Sequence, residues 1–311
     1  MTDLDTKHLI IGLSYIVGTI FLYIGSSMLI NAIYKDISNS PYFLTWITES
    51  FKVVYFIIYA LPLKENIFHR SKHPVKKIVI TGLVYGASMI IATYAFDLGL
   101  DYTTPSSGNS LNSTLSIFTC MFSIWILKED KVNRYKIIAC ALVVIGIIVI
   151  CAGDKANAPN RVLGDILCTA SSVLYAISGV ILKLLMKDDE GYPYFLMLGF
   201  CGLSILIVFW PGILILNAYG FERFIMPNVK ELLLMFLVSI SNALIPDYYY
   251  LKALMILGPT ICTFSYTLII PFSVLGDYLY EGTTYNRYFI IGILLIEGAL
   301  GLILYSGIMD S

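Results

Sequence analysis

A chain of 311 residues that is 58% hydrophobic and 13% charged, with a mean hydropathy of +0.81, carries about half the charge of a soluble globular protein, which is about 25% charged. A soluble fold of this size could not hide that much apolar surface, so lipid is the solvent this composition calls for. The formal net charge of −1 gives no support to a nucleic-acid partner.

The N-terminal Met1–Lys7 is acidic and polar, and the apolar run after it is too long for a cleavable leader core of about 7–15 residues. A crossing needs about 20 mostly apolar residues for a hydrocarbon core of about 30 Å, and ten spans are predicted on that rule. The first is Leu9–Ile33. The second, Tyr42–Leu63, carries Trp46 together with Glu49 and Lys52, three residues apart and hence on one helix face. An ionisable group inside a span costs about 2.5–3.5 kcal/mol on insertion scales and usually faces a cavity or a partner. Glu49 therefore reads as a binder of a cationic group or a coupling proton, with Lys52 pairing to it when the site is empty. A permanent structural ion pair is the alternative.

The third span, Ile78–Leu98, contains Gly82 and Gly86 in a close-packing pattern. The fourth, Thr103–Leu127, opens at Pro105 and presents Asn109, Asn112 and Ser113, which suit a polar cargo or a bridge between helices. The fifth is Tyr135–Cys151 and the sixth, Val162–Leu185, carries Tyr175. After the seventh, Tyr194–Leu216, comes the eighth, Leu232–Ala253, where Pro246 removes a backbone hydrogen bond beside Asp247 and Tyr248. Asp247 is either part of a pathway or a carboxylate near the cytosolic rim pairing with Lys252. The ninth, Pro259–Tyr280, carries Tyr266 and a hinge or kink at Pro271. The tenth, Tyr288–Ile308, places Glu297 among Gly292, Gly298 and Gly301, as an interface acid or a proton relay. Trp46, Tyr175 and Tyr266 could offer ring faces to a cation or merely pack.

The chain also reads as two copies of one unit. Glu129 followed by Asn133-Arg134-Tyr135 is echoed by Glu281 followed by Asn286-Arg287-Tyr288, and Pro105 by Pro259. Five helices per copy make the second enter from the opposite face, the inverted-repeat plan of many secondary transporters. The expected division is a tail 1–8, a first repeat 9–152, a link 153–161, a second repeat 162–308 and a tail 309–311. Lys64, Arg70, Lys72, Lys76 and Lys77, with Lys128, Lys131, Arg134 and Lys136, outweigh the basic residues of the opposite links, which puts both termini in the cytosol. The cysteines have no metal-ligand spacing and read as small packing residues, so neither a metal nor a cofactor is expected.

From about Tyr42 onward the chain resembles the drug/metabolite transporter superfamily with two EamA-like halves, and within it the F subfamily of solute carrier family 35, including fungal vacuolar, thiamine-regulated members. The stretches that carry the resemblance are Tyr42-Phe43-Leu44-Thr45, Leu100 to Ser107 around Pro105 with Ser113 to Thr119 beyond, Gly164-Asp165-Ile166-Leu167 with Leu174-Tyr175-Ala176, Phe209-Trp210-Pro211-Gly212, Pro246-Asp247-Tyr248-Tyr249-Tyr250, and Ile269 to Asp277. It implies an all-α, polytopic fold of ten helices in two inverted five-helix repeats, a cargo cavity lined by both halves, and homodimer contacts through the last helices. The expected function is secondary-active transport of a small organic solute, cationic or zwitterionic and vitamin-like, across an endomembrane, the vacuole first and Golgi or ER next. A nucleotide-sugar or nucleotide carrier is an alternative, although stretches those carriers use are absent here. A non-transporting scaffold or receptor is another. An enzyme is not expected, because a protease dyad of Asp247 and Asp277 would need carboxyls about 3 Å apart, and the topology puts them near opposite membrane surfaces.

Overall fold

The computed structural model describes residues 3–36, 40–60, 74–102, 105–128, 133–153, 160–186, 192–281 and 285–310. Its regular elements are α1 (Asp3–Asp36), α2 (Pro41–Ser50), α3 (Val54–Ala60), α4 (Val75–Tyr102), α5 (Pro105–Asn112), α6 (Thr114–Phe122), α7 (Arg134–Gly153), α8 (Arg161–Met186), α9 (Tyr194–Val208), α10 (Pro211–Ala218), α11 (Val229–Val238), α12 (Ile245–Tyr266), α13 (Ile269–Glu281) and α14 (Arg287–Asp310). No strand occurs among the described residues. In lipid every backbone N–H and C=O must find an internal partner, which a helix provides by itself.

By length and composition, eight described stretches suffice to cross a membrane, and the protein is multi-pass. One of the eight, Val229–Leu275, has 47 residues, about 70 Å at 1.5 Å per residue and too long for one crossing. It reverses at Gly258, whose φ of 76° is a backbone conformation that glycine adopts without a Cβ penalty. The reversal is visible in the side chains. Tyr250 and Tyr266, eight residues either side of Gly258, meet edge to face at 6.2 Å. Pro259 follows and has no N–H for the Met255 carbonyl, which accepts instead from Lys183 Nζ at 3.2 Å. Pro105 likewise begins α5, as proline does at a first helical position.

Close packing relies on glycine. A Cβ on Gly82 would come within 2.7 Å of the Met197 carbonyl oxygen, and one on Gly86 within 2.9 Å of that of Cys201, so α4 lies directly on α9. The α7–α14 seam is reciprocal. A Cβ on Gly146 would lie 2.8 Å from the Gly292 carbonyl oxygen, and one on Gly292 2.7 Å from that of Gly146. Tyr135 meets Tyr305 and Asn133 Nδ2 donates to Ser306 Oγ at 3.4 Å, so α7 and α14 run antiparallel. Around them Val143, Ile147, Ile150, Ile296, Ala299 and Ile303 form an apolar layer.

Five predicted spans are not continuous α-helix: the seventh breaks at Phe209–Trp210 and the ninth at Thr267–Leu268, and the other three change helix type. The second passes from α2 to α3 through a 3-10 turn at Phe51–Val53. The fourth breaks at Ser113 and widens to π-helix over Ser123–Leu127. The eighth is π-helical over Ser239–Leu244. Such irregular turns inside helices are frequent at functional sites, and those of the second and eighth spans flank the charges described next.

Candidate functional site

Lys52 sits in the 3-10 turn of the second span and is fully buried, at 0% exposure. Its ammonium contacts Glu49 on the same helix and Asp247 at the start of α12, and these carboxylates are 5% and 3% exposed. The three groups carry one formal positive and two formal negative charges. Isolating such charges from water costs several kcal/mol per ion unless geometry and hydrogen bonds compensate. Two features of the backbone put them face to face. Gly202 lets α9 close on the 3-10 turn, since a Cβ there would strike the Lys52 carbonyl carbon and the Val53 nitrogen. On the other side, the π-helical residues and Pro246 set the rotation of Asp247 about its helix. Tyr55, one turn beyond Lys52, donates its hydroxyl to the Leu244 carbonyl, so a second bond joins the same two spans.

Tyrosines surround the ionic group. Tyr23 on α1 lies beside Asp247 and within electrostatic reach of Glu49. Tyr55, Tyr85, Tyr250 and Tyr266 all feel the charge of Asp247, and Tyr175 feels that of Glu49. Tyr266 meets Tyr23 edge to face at 5.9 Å. Tyr175 donates to Thr93 Oγ1 at 2.8 Å. Three residues before it, on the same face of α8, Ser172 donates to Asn112 Oδ1 at 3.2 Å. Asn112 with Ser172, and Thr93 with Tyr175, thus make two hydrogen-bonded pairs against α8.

Of the sequence-predicted residues, Glu49, Lys52, Asp247, Tyr175 and Tyr266 come together, and Asn112 binds Ser172, one turn before Tyr175 on α8. Pro246 is buried in the first turn of α12. Ser113 forms the break in the fourth span, its hydroxyl on the Asn109 carbonyl at 3.5 Å, and Asn109 is half-buried. Tyr248 stacks on Phe195 at 4.7 Å with ring planes 10° apart. Trp46 donates its indole N–H to the Ile205 carbonyl at 3.2 Å. Pro271 is half-buried in α13, just past the turn at Thr267 and Leu268. Glu297 is apart from the rest, half-buried on α14, and neither carboxyl oxygen has a hydrogen-bond partner among the described residues.

One expectation is corrected. Asp247 is not a rim carboxylate awaiting Lys252, because α12 continues to Leu257 before it reverses. Ten further residues at 1.5 Å each put Asp247 about 15 Å inside that end, level with Lys52. Lys252 instead lies over the rings of Tyr194 and Tyr248, 4.5 and 5.8 Å from their centroids. The side chain of Asp277 lies outside the described residues. The ionic group is also closed rather than in an open chamber. A recess of about 490 Å³ runs along α8 past Val162, Asp165, Ile166 and Thr169, and none of the ionic residues lines it.

A second polar cluster closes one end of the molecule. Glu222, on the loop between α10 and α11, accepts from the Tyr42 N–H at 3.0 Å and the Tyr94 hydroxyl at 2.8 Å. Ser40 donates to the Arg223 carbonyl at 2.9 Å, and Thr45 to Asp97 Oδ2 at 2.6 Å. Glu222 is thus the anion at the positive end of α2. Asp97 could have been picked from sequence by its place in a span. Glu222 could not, since it sits in a link between predicted spans, where a charged side chain needs no explanation.

Residues 10–152 match the EamA-like transporter family. The chain resembles the F branch of solute carrier family 35 within the drug/metabolite transporters. A vacuolar membrane protein of Saccharomyces cerevisiae is 24% identical over 68% of this chain and 58% of its own length. The thiamine-repressible mitochondrial transport protein of the same yeast is 23% identical over 98% of this chain and 94% of its own. Solute carrier family 35 member F5 of Macaca fascicularis is 24% identical over 65% and 48%. The aligned region therefore spans about half the length of some relatives and nearly all of others. A crystal structure with 17% identity covers 98% of this chain and 99% of its own at a TM-score of 0.68, so the fold extends over both halves.

Proposed function

We propose that the protein is a secondary-active transporter that moves a small organic cation or zwitterion by alternating access between two inverted five-helix repeats. Counting the reversal at Gly258 and the passage over 41–60 as crossings brings the eight stretches to ten. The antiparallel α7–α14 pair supports the inversion, because these are the fifth spans of the two copies. The observation that carries the reading is the fully buried ammonium of Lys52, in the first half, on Asp247, in the second. Buried charges in membrane proteins mark ion and substrate pathways, and this one lies where two rocking halves would part.

The carboxylates Glu49 and Asp247 bind the cation of the cargo, the tyrosines face its apolar part, and Asn112 with Ser172 reads a polar end. The Glu222 cluster closes the luminal side, with both termini in the cytosol and the protein in an endomembrane, the vacuole being favoured by the yeast relative named for it. Homodimer contacts through the last helices are part of the same proposal. The test begins with a thermal-shift screen of purified protein against metabolites, since a ligand at 100 times its Kd adds about 2.7 kcal/mol of stability. The best hit is then followed in proteoliposomes. Saturable counterflow that disappears in Glu49→Gln and in Asp247→Asn is the expected result. Rates in both neutral variants equal to those of the wild type would end this reading.

A further inference from the structure

We infer that Lys52 is a tethered stand-in for the cargo's own cation, and that the cargo therefore carries an ammonium with N–H donors rather than a quaternary nitrogen. This rests on the transport reading above. Lys52 Nζ already sits between Glu49 and Asp247, the position a cationic cargo has to take to engage both halves. The group is dry, with all three side chains buried, so cargo and lysine cannot occupy it together.

An ammonium has three N–H donors, and two carboxylates from different directions use two of them. The hydroxyl-rich surroundings, with Tyr23 beside Asp247, suit a third. A quaternary nitrogen has no donor and would leave both carboxylates unsatisfied in a medium without water, where such a loss is costly. Lys52 also has a flexible attachment. It lies in a 3-10 turn whose backbone is not locked into α-helix, and its four-carbon stem is flexible.

The stand-in has a consequence for the cycle. With the lysine on both carboxylates, the empty carrier presents compensated charges and its halves remain clamped. With cargo bound, the lysine is displaced and the clamp depends on the cargo. A tethered group competes at an effective concentration in the millimolar range or above, so free amines bind the wild type weakly and gain when the tether is removed.

The probe is ethylammonium chloride, titrated into purified full-length Lys52→Ala and wild type while melting temperature is followed. Sodium chloride, tetramethylammonium chloride and ethanol serve as controls. Lys52→Ala should melt below the wild type and be restored by ethylammonium at concentrations at least tenfold lower than any that shift the wild type. No control should restore it, and Lys52→Ala/Asp247→Asn should lose the response. Equal titration of Lys52→Ala and wild type, no response in either, or equal rescue by tetramethylammonium would overturn the inference. None of these touches the counterflow result on Glu49→Gln and Asp247→Asn, which tests the transport reading separately. If Lys52→Ala does not fold alone, purification with and without 50 mM ethylammonium becomes the readout. Monodisperse protein only with the amine supports the stand-in, and aggregation under both conditions refutes it.

Discussion

The two halves of the molecule meet in two chemically opposite ways. Along α7 and α14 they meet through Gly146 and Gly292 and a layer of aliphatic side chains. Between the second and eighth spans they meet through Lys52 and Asp247. In hydrocarbon there is no hydrophobic force to press helices together, so close packing of small residues has to do it. The glycine seam has no state in which part of it is absent. The ionic contact has, because any cation of the right shape competes for it. The first contact suits a pivot and the second a latch, and a rocking carrier needs both.

That contrast can be attacked from either side. The largest effect is expected from Lys52→Met, which leaves two carboxylates facing each other out of water. Breaking a buried ionic group in this way costs about 3–5 kcal/mol, read as unfolding free energy in mixed detergent micelles. The triple variant Glu49→Gln/Lys52→Met/Asp247→Asn should recover most of that stability and still transport nothing. A triple variant as unstable as the single one would mean the group matters by shape and not by charge.

Next comes the seam. Gly292→Val forces a side chain into the Gly146 carbonyl and Ile150, and overpacking of this kind costs about 1–3 kcal/mol. Lower yield and melting temperature are expected, with an unchanged KM in the protein that survives. A changed KM with normal stability would place the seam in the cargo pathway instead. A smaller loss, about 1 kcal/mol, is expected from Glu222→Ala, which uncaps α2. Hydrogen exchange at residues 42–45 should quicken while the α7–α14 seam stays protected. Least of all, Asn228→Ala removes the reciprocal cap with Glu231 at the start of α11, for about 0.5–1 kcal/mol, with no effect on counterflow.

Much of this architecture was legible in the residues. Long apolar runs gave the helices, and Pro105 and Pro259 marked their restarts because a ring nitrogen has no proton to give. Glu49, Lys52 and Asp247 stood out because charge inside lipid demands a reason. What could not be read was that Asp247 joins the Glu49–Lys52 pair. Rotation of a side chain about its helix depends on every turn before it, and the 3-10 turn at Phe51–Val53 and the π turns at Ser239–Leu244 leave no mark in composition. The depth of Asp247 was misjudged for a related reason: hydropathy ended its helix at Ala253, whereas the helix runs on to Leu257. Glu222 was invisible because its role as a cap comes from a loop far away in sequence.

The π segment before Asp247 has a consequence for how much alteration this protein tolerates. A wide turn accommodates one residue more than the regular helix it replaces. Deleting Ser241 would let residues 239–244 relax into ordinary α-helix with Asp247 nearly in place, whereas adding one residue to the regular turns of α11 would swing everything beyond by about 100°. Asp247 would then look out at acyl chains, with no residue near it exchanged. The aim of the carboxylate is thus encoded by chain length, a quantity that substitution scans leave untouched and single-residue insertions expose.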